Sequence, residues 1–436
     1  MLSVLKNRTY RHLFAAQVVA LVGTGLATVA LSLLAYDLAG ANAGTVLGTA
    51  LAIKMLAYIG VAPIASAFAE RVPRRTMLVS LDVVRALVAL SLPFVTQIWQ
   101  VYILIFVLQS ASAAFTPTFQ ATIPDILPDE QDYTKALSLS RLAYDLENVA
   151  SPMLAAALLT IMSFHSLFIG TVFGFLASAA LVVSVVLPKA KQPEKRRVYD
   201  RTTRGIRIYL ATPRLRGLLA LNLAVAAASS MVIVNTVVLV QAQFGLTQHA
   251  TAWALAAFGG GSMLSALILP KLLDKISDRL AMLGGATILT IGLFIGGFIH
   301  SYIALCSLWL ILGIGYSLAQ TPSGRLLRRS AHPADRPSLF AAQFALSHAC
   351  WLITYPVAGW FGAKFGLQGT FWVLGSIAAI AILLAAYVWP RNDVDELEHS
   401  HTDLLEDHPH FSQHPTEQDK HVHAYIIDDL HQRWPR

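Results

Sequence analysis

Charged and imidazole side chains stand inside apolar stretches at several points of this 436-residue sequence. The densest group is Ser140-Arg141-Leu142-Ala143-Tyr144-Asp145-Leu146-Glu147-Asn148. Arg141 and Asp145 are i,i+4 neighbours on a helix and can pair on one face. Glu147 points about 200° away from Asp145, so a straight helix cannot turn both carboxylates toward one space. Asp145 is the expected cavity carboxylate, with Arg141, Tyr144 and Asn148 on roughly the same side. Glu147 is expected to meet a neighbouring helix, with Lys54 its candidate partner. His348, in the run Gln343 to Trp351, is either a satisfied interior imidazole or part of a substrate or proton path. An acid and an imidazole facing each other would suit a divalent cation or a proton relay. Asp82 and Arg85, three apart, read as a structural pair, with a direct chemical role as the alternative.

A second group lies at the C-terminus. Residues 391–436 hold eight of the fourteen histidines: His399, His401, His408, His410, His414, His421, His423 and His431. Three pairs are His-x-His, interleaved with carboxylates such as Asp403, Glu406 and Asp407. Neutral imidazole binds nickel, copper, zinc and cobalt, and a His-rich tract is a compositional cue for metal. The spacings match no closed zinc site, which predicts loose, multi-mode binding. Pro409, Pro415 and the polar composition predict disorder. The competing reading is an acidic solubilising tail that is merely rich in histidine.

The elements that must position these groups are membrane helices. Hydrophobic residues make up 56% of the chain and charged residues 13%, about half the charged share of a soluble domain. Apolar stretches of spanning length predict helices near 12–36, 45–68, 76–97, 99–118, 135–160, 164–187, 216–241, 249–270, 281–299, 302–320, 338–362 and 369–389. Lys6, Arg8 and Arg11 precede a run too long for a signal-peptide core, so that run is expected to be a first span. Cys306 and Cys350 lie in apolar runs and imply no disulfide framework.

Loop charges orient these helices. The interval 188–216 carries ten Lys/Arg against Glu194 and Asp200, and the Lys/Arg of the other connections fall in alternate ones, with Lys364 near the last as the exception. Because basic residues accumulate on the cytoplasmic side, both termini are expected there. The predicted organisation is a six-helix half (1–187), a basic connector (188–216), a second six-helix half (217–390) and the tail (391–436). The halves echo each other: Thr116-Pro117 and Pro128 recur as Thr321-Pro322 and Pro333, each displaced by 205 residues. Parallel repeats of this kind mark one large transporter architecture. The tail carries eleven Asp/Glu against four Lys/Arg, leaving 28 basic and 14 acidic groups in residues 1–390. The excess charge therefore belongs to loops, and nucleic-acid binding does not explain it.

Between the second and third helices stands Ser66-Ala67-Phe68-Ala69-Glu70-Arg71-Val72-Pro73-Arg74-Arg75. It resembles the loop signature of the major facilitator superfamily, Gly-x-Leu-Ala-Asp-Arg-x-Gly-Arg-Arg, with Ser66, Glu70 and Pro73 departing from it. A weaker echo is Leu273-Asp274-Lys275-Ile276-Ser277-Asp278-Arg279. The resemblance covers residues 1–390 and implies an all-α membrane fold of twelve helices in two pseudo-repeats. It also implies a cytoplasmic gating role for Glu70, Arg71, Arg74, Arg75, Asp82 and Arg85, and a monomer. With the His-rich tail, the architecture resembles bacterial nickel-resistance exporters of the NreB type.

Gly259-Gly260-Gly261 comes with no Walker pattern, and no ATPase domain is recognised, so an ion gradient is the expected energy source and no enzyme activity is expected. The resulting expectation is proton-coupled export of a divalent metal, nickel before cobalt, across a bacterial inner membrane. Lys54, Arg141, Asp145, Glu147, Asn148 and His348 would line the path, and no cofactor is expected beyond a transported or tail-bound metal. The partners are the lipid bilayer, the metal ion and the proton. The alternative is export of lipophilic drugs or a siderophore-like molecule.

Overall fold

The computed structural model describes residues 2–39, 43–69, 72–188, 198–393, 396–399, 421–431 and 433–435. The first half is α1 (Arg8–Ala39), α2 (Ala43–Ala69), α3 (Arg74–Ser91), α4 (Ile98–Ile126), α5 (Glu130–Leu159) and α6 (Phe164–Val183). Helix α7 (Val198–Ala211) lies in the basic connector. The second half is α8 (Pro213–Val237), α9 (Gln248–Leu273), α10 (Asp278–Gly296), α11 (Tyr302–Gln320), the short α12 (Ser323–Arg329), α13 (Arg336–Pro356) and α14 (Gly362–Val388). In the tail, β1 (Glu396–His399) pairs antiparallel with β2 (His421–Ala424), with Glu396 opposite Ala424.

Local chemistry sets several boundaries. The Asp129 carboxylate accepts the Asp132 amide at the start of α5, and the Ser277 and Ser301 hydroxyls accept at the starts of α10 and α11. Each satisfies one amide that lacks an intrahelical partner. Pro213 opens α8 where its missing N–H costs nothing. Helix α4 runs on through Pro117 to Ile126, whereas the sequence predicts an end near 118. The equivalent Thr321-Pro322 instead separates α11 from α12.

Among the described residues, nine helices carry an apolar window long enough to cross a membrane. The long helices outside that set are α2, α5 and α13. Across the boundary between halves, α2 packs on α13, and α5 packs on α9. Polar residues on α2, α5 and α13 therefore meet protein or a cavity, where intramembrane charge is tolerated.

The halves repeat in their packing as well as in their prolines. In the first half α1 packs on α6 and α5, α2 on α4, and α3 on α4 and α6. In the second half α8 packs on α14 and α13, α9 on α11, and α10 on α11 and α14. Each contact has its counterpart at the same place in the order. One counterpart is unusually close: a Cβ on Gly261 would lie 1.9 Å from the Leu310 carbonyl oxygen, and one on Gly313 would lie 1.9 Å from that of Phe258. Helices α9 and α11 thus touch backbone to backbone, as small residues permit inside a bilayer.

Candidate functional site

A cavity of about 490 Å³ opens between α1, α2, α4 and α5, with Ile233 of α8 at its edge. Tyr58, Phe115, Phe119 and Tyr144 line it together with Leu21 and Val29, and Gln17, Thr24 and Thr28 give α1 a polar stripe. Lys54 and Glu147 face this same space from α2 and α5. Lys54 Nζ stands 5.5 Å from the Tyr58 ring centroid. The Glu147 carboxylate lies close to α1: a Cβ on Gly25 would come within 3.0 Å of Glu147 Oε1 and 2.2 Å of the Ser151 side chain. Tyr144, Glu147 and Ser151 reach the cavity together because i, i+3 and i+7 share a helix face.

This arrangement reverses the expectation for the two acids. Asp145 is buried at 3% exposure and does not line the cavity. It accepts from the Arg141 guanidinium, which lies 4.7 Å from the Tyr316 ring centroid of α11 and hydrogen-bonds the Tyr316 hydroxyl at 3.4 Å. The rotation between Asp145 and Glu147 is as the helix dictates, but the Arg141–Asp145 side turns toward the second half and the Glu147 side toward the cavity. The Asn148 side chain lies outside the described residues.

His348 does not face Asp145 either. Its Nδ1 bonds the Phe344 carbonyl at 2.7 Å, and its ring packs edge-on against Tyr58 with centroids 4.7 Å apart. Phe344 lies 4.8 Å from the same Tyr58 ring. Tyr58, Phe344 and His348 form an aromatic contact between α2 and α13, with Ala62, Ala113 and Ala341 buried beside it. His348 is thus separated from the cavity by the Tyr58 ring.

Further contacts between the halves lie at the end that carries the basic loops. Tyr133 donates to the Gly324 carbonyl, Arg325 reaches Glu130 at 2.8 Å and Thr134 at 2.9 Å, and Arg328 donates to the Pro128 carbonyl. Asp125 accepts from Arg74 of its own half and from Arg336 of the other. A second space of about 190 Å³, lined by Gln120, Ser140, Gln320 and Gln343, leads from the cavity toward this face and shares Gln17, Phe119 and Tyr144 with it. The contacts from Tyr133 to Arg328 stopper it.

The expected gating residues divide. Glu70 and Arg71 lie outside the described residues. Arg74 joins the Asp125 bridge, and Arg75 donates to the Val183 carbonyl within its own half. Asp82 and Arg85 form a buried pair, with Ser178 donating to Asp82 at 2.7 Å. Arg85 is held between Phe115 and Phe175, with centroids at 4.1 and 4.5 Å, and one edge of it reaches the cavity.

The tail departs from the expected disorder over residues 396–399, 421–431 and 433–435. Tyr425 and Ile427 are buried in the core of the second half. Asp428 accepts the His431 amide at 2.7 Å and pairs with the His431 and His332 rings at 2.9 and 3.4 Å. Arg204 of α7 grips Asp335 through two bonds, at 2.6 and 2.9 Å, and reaches Asp429 at 2.8 Å. Trp434 lies under Arg214. Composition pointed to disorder because it averages over the tail, whereas a few aromatic and aliphatic groups suffice to dock it. The hydrogen bond to Asp428 raises the His332 pKa above its ordinary value. Burial pushes the Asp428 carboxyl up, yet bonds from His332 and His431 hold it well below the usual range. The His423 and His431 rings are 5.1 Å apart. His401, His408, His410 and His414 lie outside the described residues, as do the side chains of His399 and His421. Among the described residues no group of three or more His, Cys, Asp or Glu is placed to hold a metal ion.

Sequence reasoning missed Gln17, Tyr58, Phe115 and Phe119. The stripe Gln17, Leu21, Thr24, Thr28 was readable as an i, i+4, i+7, i+11 face, and Tyr58 stands one turn beyond Lys54. Phe115 and Phe119 carry no such mark in an apolar helix.

Two repeated helical halves thus surround a cavity that is stoppered at one end. The chain belongs to the Major Facilitator Superfamily, which it matches over residues 13–236 and 218–406, and it is a multi-pass membrane protein. An MFS-type transporter of Bacillus subtilis (strain 168), YfiS, is 26% identical over 247 residues, covering 56% of this chain and 58% of the relative. Macrolide efflux protein A of Streptococcus pyogenes is 24% identical over 182 residues, covering 41% and 44%. The chain thus spans about half the length of these curated relatives. Among solved structures, the human organic anion transporter MFSD10 (TETRAN) superposes with a TM-score of 0.76 at 12% identity, covering 87% of this chain and 99% of that one. The Escherichia coli fucose:proton symporter FucP gives 0.70 at 13%, covering 87% and 98%. At these identities the likeness is one of fold.

Proposed function

We propose that this protein is a proton-driven exporter of amphipathic organic molecules in a bacterial cytoplasmic membrane, working as a monomer with twelve spans and both termini in the cytoplasm. The cavity carries this reading. Its volume is that of a site for a drug-sized molecule, and its lining sets aromatic and aliphatic side chains beside hydroxyl, amide and charged groups, as an amphipathic cargo requires. A stripped transition-metal ion needs several nitrogen, sulfur or oxygen ligands in one shell. The described lining offers one carboxylate, Glu147, and no imidazole or thiol. The macrolide efflux relatives support an organic cargo.

The chemistry follows from Lys54 and Glu147. With Glu147 ionised, the two charges offset and a cationic cargo is tolerated. A proton on Glu147 leaves Lys54 uncompensated and makes the cavity net positive. Two like charges about 8 Å apart at an effective dielectric of about 20 repel by roughly 2 kcal/mol, about thirty-fold in cargo affinity. Proton entry thereby expels the cargo, and its loss lets the halves rock back. For the cavity to face the cytoplasm, the contacts of Tyr58, Asp125, Glu130 and Arg141 with the second half must break.

The test is uptake of erythromycin and ethidium into inverted vesicles on imposing an inside-acid gradient, with nickel and cobalt run in parallel. Gradient-dependent uptake of the organic cations, absent in Glu147→Gln, is expected. Uptake of nickel or cobalt alone would overturn the reading. That outcome would favour the second reading, nickel or cobalt export, which the eight tail histidines support.

A further inference from the structure

Helices α2 and α13 are held together at one end and apart at the other. Toward the basic loops Ala62 and Ala341 are almost wholly buried, and Tyr58 packs on Phe344 and His348. In the opposite half of the same helices a groove of about 460 Å³ separates them, floored by α8. Its walls are Ala52 and Met55 of α2, Ile233 and Val234 of α8, and Leu352 and Tyr355 of α13, closed by Pro356. Apart from the Tyr355 hydroxyl, these side chains are apolar.

The groove and the polar cavity occupy different faces of α2. At 100° per residue, Ala52 and Met55 point about 110° away from Lys54 and Tyr58. The described linings of the two spaces share one residue, Ile233. A molecule holding its polar end by Lys54 and Glu147 therefore meets, around the edge of α2, an apolar slot on the side away from the basic loops.

Backbone distortions adjoin the slot. Helix α8 passes into a π turn at Val238–Gln243, and α13 passes into one at Val357–Phe361, directly after Pro356. Asn235, three residues before the first π turn, donates to the Ala358 carbonyl of the second at 3.0 Å, tying α8 to the distorted end of α13. Proline and π turns redirect helices and gather at functional sites.

From the shared residue, the apolar walls and the paired distortions, we propose that this groove is a lateral exit portal. It holds the apolar tail of the cargo and passes it into the leaflet away from the basic loops, while the polar end stays in the cavity. This rests on the amphiphile-export reading and refines it: the cargo has a charged or polar head and a flexible apolar tail.

The test uses the full chain in proteoliposomes and the alkyltriphenylphosphonium cations from methyl to decyl. Ala52→Phe and Leu352→Trp fill the groove without touching the cavity lining. Each should cut decyltriphenylphosphonium transport at least five-fold and change methyltriphenylphosphonium transport less than two-fold. Thermal melting and gel filtration confirm folding. A decyl probe with a diazirine at the chain end should label the peptides around Ala52–Met55 and Leu352–Pro356. Equal loss for both cations, no loss for either, or labelling confined to Phe115 and Phe119 would overturn the portal. If the wild type moves no phosphonium yet the groove is labelled, the export reading fails and the portal as a tail-binding site stands.

Discussion

Asp125, in the last turn of α4, accepts from two arginines that belong to different halves: Arg74 at 2.6 Å and Arg336 at 3.0 Å. Arg74 anchors the carboxylate within the first half, so its bond to Arg336 resists separation of the halves at the basic face. Such an ion pair holds one conformation without obstructing the cavity.

Asp125→Asn should shift the protein toward opening at that face. The carboxylate is 16% exposed, between the surface and buried limits, so its loss costs the closed form about 2 kcal/mol, roughly thirty-fold in population. Electron–electron distance measurements between spin labels on α5 and α12 should show a longer component that is minor in the wild type. An unchanged distribution would remove Asp125 from the gate.

The two acids of α5 should fail differently. Glu147→Gln should leave folding intact, weaken binding of a cationic cargo by about thirty-fold because the neutral side chain leaves Lys54 uncompensated, and abolish the response of transport to a pH gradient. Asp145→Asn strands the buried Arg141 charge and should lower stability by about 3 kcal/mol, read as a lower melting temperature, while residual transport keeps its gradient dependence. Matching phenotypes would mean the separation of their roles is wrong.

Neighbouring glycines of α9 should also part company. Gly261→Val drives a side chain into the Leu310 backbone and should cost about 3 kcal/mol or prevent folding. Gly260 has open space where a Cβ would stand, so Gly260→Ala should be neutral or slightly stabilising. Thermal melts of both variants, with Gly313→Val expected to mirror Gly261→Val, decide the point.

Docking of the tail should depend on pH. His332 binds its proton more tightly when docked, so its contribution is complete below its ordinary value of 6.5 and is lost as pH rises through the raised one. Asp428 is held low, so its contribution is present above its ordinary value of 3.8 and is lost only as pH falls through the depressed one. Docking should be firmest between these ordinary values and loosen as pH rises from 6.5 through the raised His332 value. Arg204, Asp335, Asp429 and His431 are the charged and titratable groups around the pair. Hydrogen exchange at residues 421–431, corrected for intrinsic rate, should rise over that interval in the wild type and stay flat in His332→Ala.

The helices were legible because apolar length and loop charge are local properties, and the repeat was legible because Thr-Pro and Pro recur at one offset. Helix α7 was hidden by the same Lys/Arg content that marked the connector, although Ile208 and Tyr209 give it a buried face. At the site, the angle between Asp145 and Glu147 followed from helix geometry, but which of them meets the cavity depends on how α5 is rotated against α1 and α9. Contacts such as Gly25 against Ser151 set that rotation, and no spacing within α5 reports it. The docked tail was missed for a related reason: Asp428 and Asp429 matter through His332 and Arg204, which lie 96 and 225 residues away.

Helix α2 places consecutive residues on separate walls, with Lys54 in the polar cavity and Met55 in the apolar groove. Under selection by a new toxic compound, a single nucleotide change in this helix would retune either the charge the protein prefers or the chain length it accepts, and leave the other as it was. Resistance spectra could then diversify along two independent axes from a few adjacent codons.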